Sequence, residues 1–162
     1  MNRALPLVPD ETAALLRAPW RMLESDHDVF MAEIHQMERL LKRHSSQKIC
    51  PASLLERIDR FIQHFESHLG LHFKAEEKAV FPFLWRHAPH LKKPLQSLIV
   101  DHDGIRRTLA AWKRSFQKAK TPPKQRRNEM PLSGRGLELI RLLHAHVDAE
   151  ARIMRQFPFK AD

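Results

Sequence analysis

Glycine is scarce in this chain: four in 162 residues. Extended stretches of alternating polar and apolar residues are absent as well. Leu, Arg, Lys, Ala and Glu are frequent instead, and the eleven prolines cluster between segments of helical pattern. These features argue against a sheet protein and for an all-α fold. There is one cysteine, Cys50. An internal disulfide and a cysteine-ligated cluster held within one chain are therefore excluded. Tyrosine is missing altogether, so no tyrosyl radical can be housed here. No apolar run approaches the roughly 20 residues that span a bilayer. Ala4–Val8 is too short for a signal core and is broken by Pro6. No membrane association and a cytoplasmic location are the expectations.

Acidic residues are the minority charge: 28 Lys and Arg stand against 19 Asp and Glu, a net charge of +9. Seven of the basic residues fall between Lys113 and Arg127, around Thr121, Pro122 and Pro123. Such a patch suits an anionic partner, and an acidic protein docking on Lys113–Arg127 is the functional expectation. No aromatic is interleaved in the loop and no nucleic-acid motif accompanies it. Nucleic acid is not expected, and a solvated helix end with a basic loop is the simpler reading.

At this length the chain is one domain with a real core. The pattern divides it into an N-terminal extension over 1–19, a bundle over 20–158 and a short tail over 159–162. Asp10 or Thr12 caps a short helix through Arg17, and Pro19 interrupts it. A first long helix is predicted from about Trp20 to His44, with Leu23, His27, Phe30, Met31, Ile34, Met37 and Leu41 inward. Pro51 suits the first turn of the second, which continues to about Val80. Pro82 and Pro89 then predict a short irregular segment. The third helix spans about Pro94 to Lys118, with Leu95, Leu98, Ile99, His102, Ile105, Leu109, Trp112 and Phe116 inward. A basic loop covers 119–131. The fourth helix runs from about Leu132 to Gln156, with Leu139, Leu142, Leu143, His146, Glu150 and Ile153 inward. Gly134 and Gly136 weaken its first turn, and Pro158 marks its end.

The chemistry sits on the inward stripes. His72 and Glu76 are four apart, so an imidazole and a carboxylate share one helix face. Their neighbours on that face are Phe61, Ile62, Phe65, Leu69, Ala79, Val80 and Phe83. A carboxylate there needs a cation or a full set of hydrogen bonds to offset its burial. His146 and Glu150 repeat the pair. Each pair is preceded by a lone histidine inside Asp-His-Asp: His27 lies 45 residues before His72, and His102 lies 44 before His146. The chain therefore reads as two half-bundles around a shared site. One histidine on an apolar stripe is more often a hydrogen-bonded core residue. Two of them at matched distances from His-x-x-x-Glu are not accounted for that way.

Imidazole and carboxylate together suit iron, manganese or zinc better than calcium or magnesium. The set His27, His72, Glu76, His102, His146 and Glu150 is enough for two metals, each with two imidazoles, the glutamates bridging. His68 also faces inward, as an extra ligand, a partner to one, or a residue at the mouth of the site. His64 reads as structural, His144 as facing away from the site, and His35, His44, His87 and His90 as surface or loop residues. Glu77 is expected to point elsewhere. Asp26, Asp28, Asp101 and Asp103 either polarise neighbouring ligand imidazoles or form a solvated face. Ferritin-type centres use Glu-x-x-His on two helices. Only Glu24-x-x-His27 fits that pattern here, with no second copy. Cys50 reads as an inert residue of the first interhelix connection.

His27, then His72-x-x-x-Glu76-Glu77 followed by Phe81-Pro82, then Asp101-His102, then His146-x-x-x-Glu150, resembles the hemerythrin-like HHE cation-binding domain over about residues 20–158. The resemblance implies an up-down-up-down four-helix bundle with a non-haem di-iron centre. It implies His27, His72, His102 and His146 as terminal ligands, Glu76 and Glu150 as bridging carboxylates, and an oxo or hydroxo bridge from solvent. Manganese or zinc are possible substitutes. Oxygen-carrying hemerythrins have a further histidine one turn before the one on the third helix, where this chain has Leu98. The four-His, two-Glu set is closer to the repair-of-iron-centres proteins, linked to nitric oxide and iron–sulfur repair. Those usually carry an additional N-terminal cysteine-containing domain, which these 162 residues do not include.

The functional expectation is a di-iron protein that binds or reduces a small oxidant: dioxygen, nitric oxide or peroxide. The alternative is a non-catalytic sensor or iron-handling module acting through a partner contact. A structural bundle holding zinc or no metal is the third reading.

Overall fold

The inward stripes of all four long helices recur at steps of three and four. On α1 (27–43) they are Phe30, Ile34, Met37 and Leu41. On α2 (Ala52–Ala75) they are Leu54, Ile58, Ile62, Phe65, Leu69 and His72. On α4 (Lys92–Ala119) the run is Leu95, Leu98, His102, Ile105, Leu109, Trp112 and Phe116. On α5 (Leu132–Met154) it is Gly136, Leu139, Leu143, His146, Glu150 and Ile153. A 3–4 repeat keeps one seam of each helix facing its partners, which is the packing logic of a four-helix bundle. Between α2 and α4 the chain passes through a π-helical turn (Glu76–Val80), α3 (Phe81–His87) and a 3-10 turn (Pro89–Leu91).

These elements come from a computed structural model, which describes residues 27–43, 45, 52–120 and 132–155. The expected features over 1–26, His44, Cys50, Pro51, the loop residues 121–131 and the segment after 155 lie outside that range. No strand occurs among the described residues. Among them, no helix is long and apolar enough to cross a membrane.

Cross-helix contacts fix the topology. Along α1–α2, His27 meets His72 and Glu33 meets His64, so one number rises as the other falls. Along α2–α4 the pairs are Asp59–Lys120, Glu66–Lys113 and Glu77–Arg106. Trp112 Nε1 donates to the Leu132 carbonyl at 3.0 Å, and His102 faces His146, which sets α4 against α5. His27–Glu150 and Glu38–His144 close α5 back onto α1. Every neighbouring pair is antiparallel, giving an all-α up-down-up-down bundle. The surface ion pairs set register more than stability, since each is worth less than about 1 kcal/mol.

Gly136 is where α5 comes closest to its neighbours. A Cβ there would lie 2.5 Å from Leu41 Cδ1 and 2.8 Å from Trp112 Cζ2. The glycine expected to weaken the start of this helix is thus what lets it dock.

The segment after Val80 is a correction. It is helical, not irregular. Pro82 lacks an N–H and its ring clashes with the carbonyl four residues back in an α-helix. The chain answers by widening one turn: Phe81 N–H donates to the Glu76 carbonyl, five residues back. That extra residue rotates the helix beyond it. Ala79, expected on the inward face, is exposed, and Phe83 is half-buried. Val80, Phe81 and Leu84 fill the interior instead.

The interior falls into two hydrophobic clusters. The larger gathers Leu41, Ile58, Phe65, Leu109, Trp112 and Leu139 with their neighbours. The smaller holds Val80, Phe81, Leu84, Leu91, Leu95, Leu98 and Ile153. Between them, the seam positions are not hydrocarbon. They are His72, Glu76, His102, His146 and Glu150, all buried.

Candidate metal centre

The residues of this polar layer continue the same stripes that build the core. His27 lies one turn before Phe30 on α1, and His72 and Glu76 prolong the α2 stripe into the wide turn. His102 is flanked along α4 by Leu98 and Ile105, and His146 and Glu150 along α5 by Leu143 and Ile153. Packing that buries the hydrocarbon therefore carries the donors inward with it.

All six predicted site residues meet. His27 Nε2 is 3.0 Å from His72 Nε2 and 3.0 Å from Glu150 Oε2. His72 Nε2 is 3.0 Å from Glu76 Oε1, and His102 Nε2 is 3.0 Å from Glu76 Oε2. His146 Nε2 is 3.9 Å from Glu150 Oε2. The donors fall into two groups that share Glu76: His27, His72, Glu76 and Glu150, and Glu76, His102 and His146. Glu76 turns one oxygen to each group.

Whether these residues fit a metal is tested by their own unmet bonding. Both oxygens of Glu76, His102 Nε2, both nitrogens of His146 and Glu150 Oε2 are buried from solvent and make no hydrogen bond of proper direction. They lie close together without pointing at one another as donor and acceptor. Two ligands about 2.1 Å from one cation at right angles lie about 3 Å apart, the spacing seen here. A buried polar group without a partner costs about 1–3 kcal/mol, more when charged. So many in one layer call for a positive group to meet them, and a bound metal cation would do so. Histidine and carboxylate donors fit iron, manganese or zinc.

The electrostatics agree. Burial pushes the Glu76 carboxyl up to about 8, with the nearby Glu150 charge adding to a rise that the His102 contact opposes. Burial would raise Glu150 too, but the His27 contact and its charge hold it below the ordinary carboxylate value. Burial, then the neighbouring His102 charge, brings His146 down to about 3. Neutral imidazole is the form that ligates a metal.

Aromatic rings enclose the layer. Phe73 stacks on His102 with centroids 3.7 Å apart and meets His146 edge-on at 5.5 Å. Phe81 lies on the other cluster's side of His102 at 5.9 Å, and Phe30 meets His72 edge-on at 5.2 Å.

Glu77 corrects the expectation that it points elsewhere. His102 Nδ1 donates to Glu77 Oε1 at 2.7 Å, and Arg106 Nη2 donates to the same oxygen at 2.8 Å. Arg106 Nη1 in turn donates to Asp103 at 3.2 Å and the guanidinium lies 5.2 Å from the Phe73 ring centre. Burial works against the Glu77 charge, but the His102 and Arg106 hydrogen bonds outweigh it and hold the carboxyl below its ordinary value. The sequence signals were the doubled Glu76-Glu77 and the flanking Asp103. The missing information was the wide turn, and an arginine one turn after His102.

His68 is a second correction. It is exposed, with its ring beside His64 and Phe30. His64 is exposed and pairs with Glu33. His144 faces away from the centre, against Glu38 and His35, as expected. Asp28 and Asp101 are exposed, and Asp26 lies outside the described residues. In the basic patch, Lys113 and Lys120 pair with Glu66 and Asp59. The remaining residues of the patch from Lys124 onward lie outside the described range.

The family model described as the hemerythrin HHE cation-binding domain matches residues 18–157. No curated protein and no solved structure matches the chain.

Proposed function

Since the chain belongs to the hemerythrin HHE cation-binding family, we propose that its buried layer holds two iron ions and serves to bind or reduce a small oxidant, namely dioxygen, nitric oxide or peroxide. The observation that carries this reading is the division of the donors into two groups joined through the two oxygens of Glu76. A single cation would leave one group unmet.

When bound, a pair of iron ions supplies redox electrons and coordination positions that protein side chains do not fill. The rest is the work of this chain. His27, His72 and Glu150 would hold one position and His102 and His146 the other, with Glu76 offering an oxygen to each. Two imidazoles per position, with Glu76 shared, would leave room for a small ligand at each. Leu98 supports this reading. It is buried in one cluster with Val80, Phe81, Leu95 and Ile153, one turn before His102, and brings hydrocarbon where the oxygen-carrying hemerythrins have a further histidine. Phe73, Phe81 and Phe30 keep bulk water from the layer, which favours small uncharged molecules over hydrated ions. The four-His, two-Glu set resembles that of the repair-of-iron-centres type, a similarity that would favour nitric oxide as the ligand.

The deciding experiment is elemental analysis with absorption spectra, anaerobic and aerobic, of protein from iron-replete cells. Two irons per chain and an oxidant-dependent charge-transfer band are expected. Sustained loss of nitric oxide or peroxide then marks turnover, and stoichiometric binding alone marks a sensor. Fewer than two metals, or zinc with no spectral response to any oxidant, overturns the reading.

A further inference from the structure

His102 carries two restraints that fix different motions. The 2.7 Å bond from Nδ1 to Glu77 Oε1 limits rotation within the plane of the ring. Phe73, stacked with centroids 3.7 Å apart and planes 13° from parallel, limits tilt out of that plane. His146 differs: its Nδ1 is shielded from water and has no hydrogen-bond partner.

Both restraints lead to one further residue. Arg106 lies one turn after His102 on α4. Its Nη2 donates to Glu77 Oε1 at 2.8 Å, the same oxygen that His102 uses. Its guanidinium carbon lies 5.2 Å from the centre of the Phe73 ring. Nη1 donates to Asp103 Oδ1 at 3.2 Å, which anchors the fork to its own helix. Glu77 is 22% exposed, enough for a carboxylate to swing toward water, and a cation on the shared oxygen opposes that swing. Arg106 is itself 42% exposed, whereas the His102 side chain is fully buried.

We propose that Arg106 is a positioning residue for His102. Its fork keeps Glu77 on Nδ1 and its plane keeps Phe73 on the face of the ring. Nε2 then stays aimed at the donor group that contains Glu76 and His146. Two hydrogen bonds and a flat face are used together, which a lysine cannot supply. A half-exposed ion pair adds little to stability, so the effect is on aim rather than on folding. The consequence for metal binding rests on the reading of the buried layer as a metal centre; the consequence for the imidazole does not.

The test is nitrogen-15 NMR of the histidine side chains in metal-stripped protein, followed by titration with cobalt(II). Wild-type His102 is expected as a single tautomer with the proton on Nδ1. In Arg106→Ala its signals should broaden or divide between two tautomers. Cobalt(II) affinity at the His102 half should fall by about three- to ten-fold, less than the loss of a partner that touches the ligand itself. Arg106→Lys should stay closer to alanine than to wild type. Lys113→Ala removes the Glu66 pair between the same two helices and should leave the His102 signals as they are. A wild-type His102 spectrum in Arg106→Ala overturns the proposal. Full recovery in Arg106→Lys does so too, since charge alone would then suffice. The same spectral change in Lys113→Ala also overturns it, by making the effect a general loosening of α2 against α4. A protein that binds no metal yet shows the tautomer change in Arg106→Ala upholds the role of Arg106 and sinks the di-iron reading instead.

Discussion

His102 donates from Nδ1 to Glu77 and turns Nε2 toward Glu76, so one imidazole is held between two consecutive glutamates. With Glu77 ionised beside Arg106, the proton belongs on Nδ1 and the lone pair on Nε2 faces the centre. Consecutive residues of an α-helix point about 100° apart, and both carboxylates reach the same ring because the helix widens at Glu76–Val80.

Glu77→Ala is therefore expected to weaken cation binding at the His102 half by about 10–100-fold, the usual effect of losing a partner that orients a ligand. Glu77→Gln keeps an acceptor for Nδ1 but loses the charge, and should fall between alanine and wild type. Competition against a chelator of known affinity measures this. An affinity unchanged in Glu77→Ala excludes Glu77 as a positioning residue.

Glu76→Ala should cost more than any single histidine, because both donor groups use its oxygens. Loss of both tight metal equivalents is the expected outcome. His146→Ala touches only one group and should spare one equivalent. Metal counts on the two folded variants check the difference. Two tight equivalents retained in Glu76→Ala would remove it from the ligand set.

The three- and four-residue spacing made the bundle readable in the sequence, and the six donors with it, since they occupy the same stripes as the core. The features that stayed hidden depended on one local event. Pro82 signals a break, but a single widened turn absorbs it and the helix goes on. The inserted residue changes which positions face inward within the turn and beyond it, so Ala79 is exposed and Phe81 buried. Glu77 and Arg106 were missed for a related reason. Their partnership joins α4 to the wide turn over 29 positions, and spacing within one helix carries no trace of it. His68 was read as inward from periodicity, yet the stripe narrows there to Phe65, Leu69 and His72.

Glycines separate packing from propensity. Gly70 and Gly104 have nothing within 4 Å of a built Cβ. Replacing either with alanine should stabilise the helix by up to about 1 kcal/mol. At Gly136 the same methyl would strike Leu41 and the Trp112 ring, and Trp112 is pinned by its bond to Leu132. Overpacking of that kind costs about 1–3 kcal/mol, which outweighs the propensity gain. Thermal melts should rise for Gly70→Ala and Gly104→Ala and drop for Gly136→Ala. A rise in Gly136→Ala would mean that α5 can back away from α1 and α4 at little cost.

Acidity should tune the metal-stripped protein in a direction set by Glu76. Its carboxyl sits at about 8 against an ordinary 4.5, so the folded state keeps a proton that the unfolded chain has released. The stability this contributes is complete below about pH 4.5 and is lost as pH rises through 8. His146 works the other way. Its value of about 3 against 6.5 contributes stability that is complete above pH 6.5 and lost as pH falls through 3. Between 4.5 and 6.5 the two slopes oppose each other; from 6.5 to 8 only Glu76 acts. The melting temperature of stripped protein should fall across that upper interval, by at most about 1.4 kcal/mol of stability per pH unit. A bound cation keeps Glu76 ionised, so the fall should vanish on loading. Loading at pH 7 should also release a proton, visible by calorimetry in buffers of different ionisation enthalpy. Stripped protein that grows more stable from pH 6.5 to 8 would show that Glu76 is already ionised in the fold and that its burial is offset by something other than a proton.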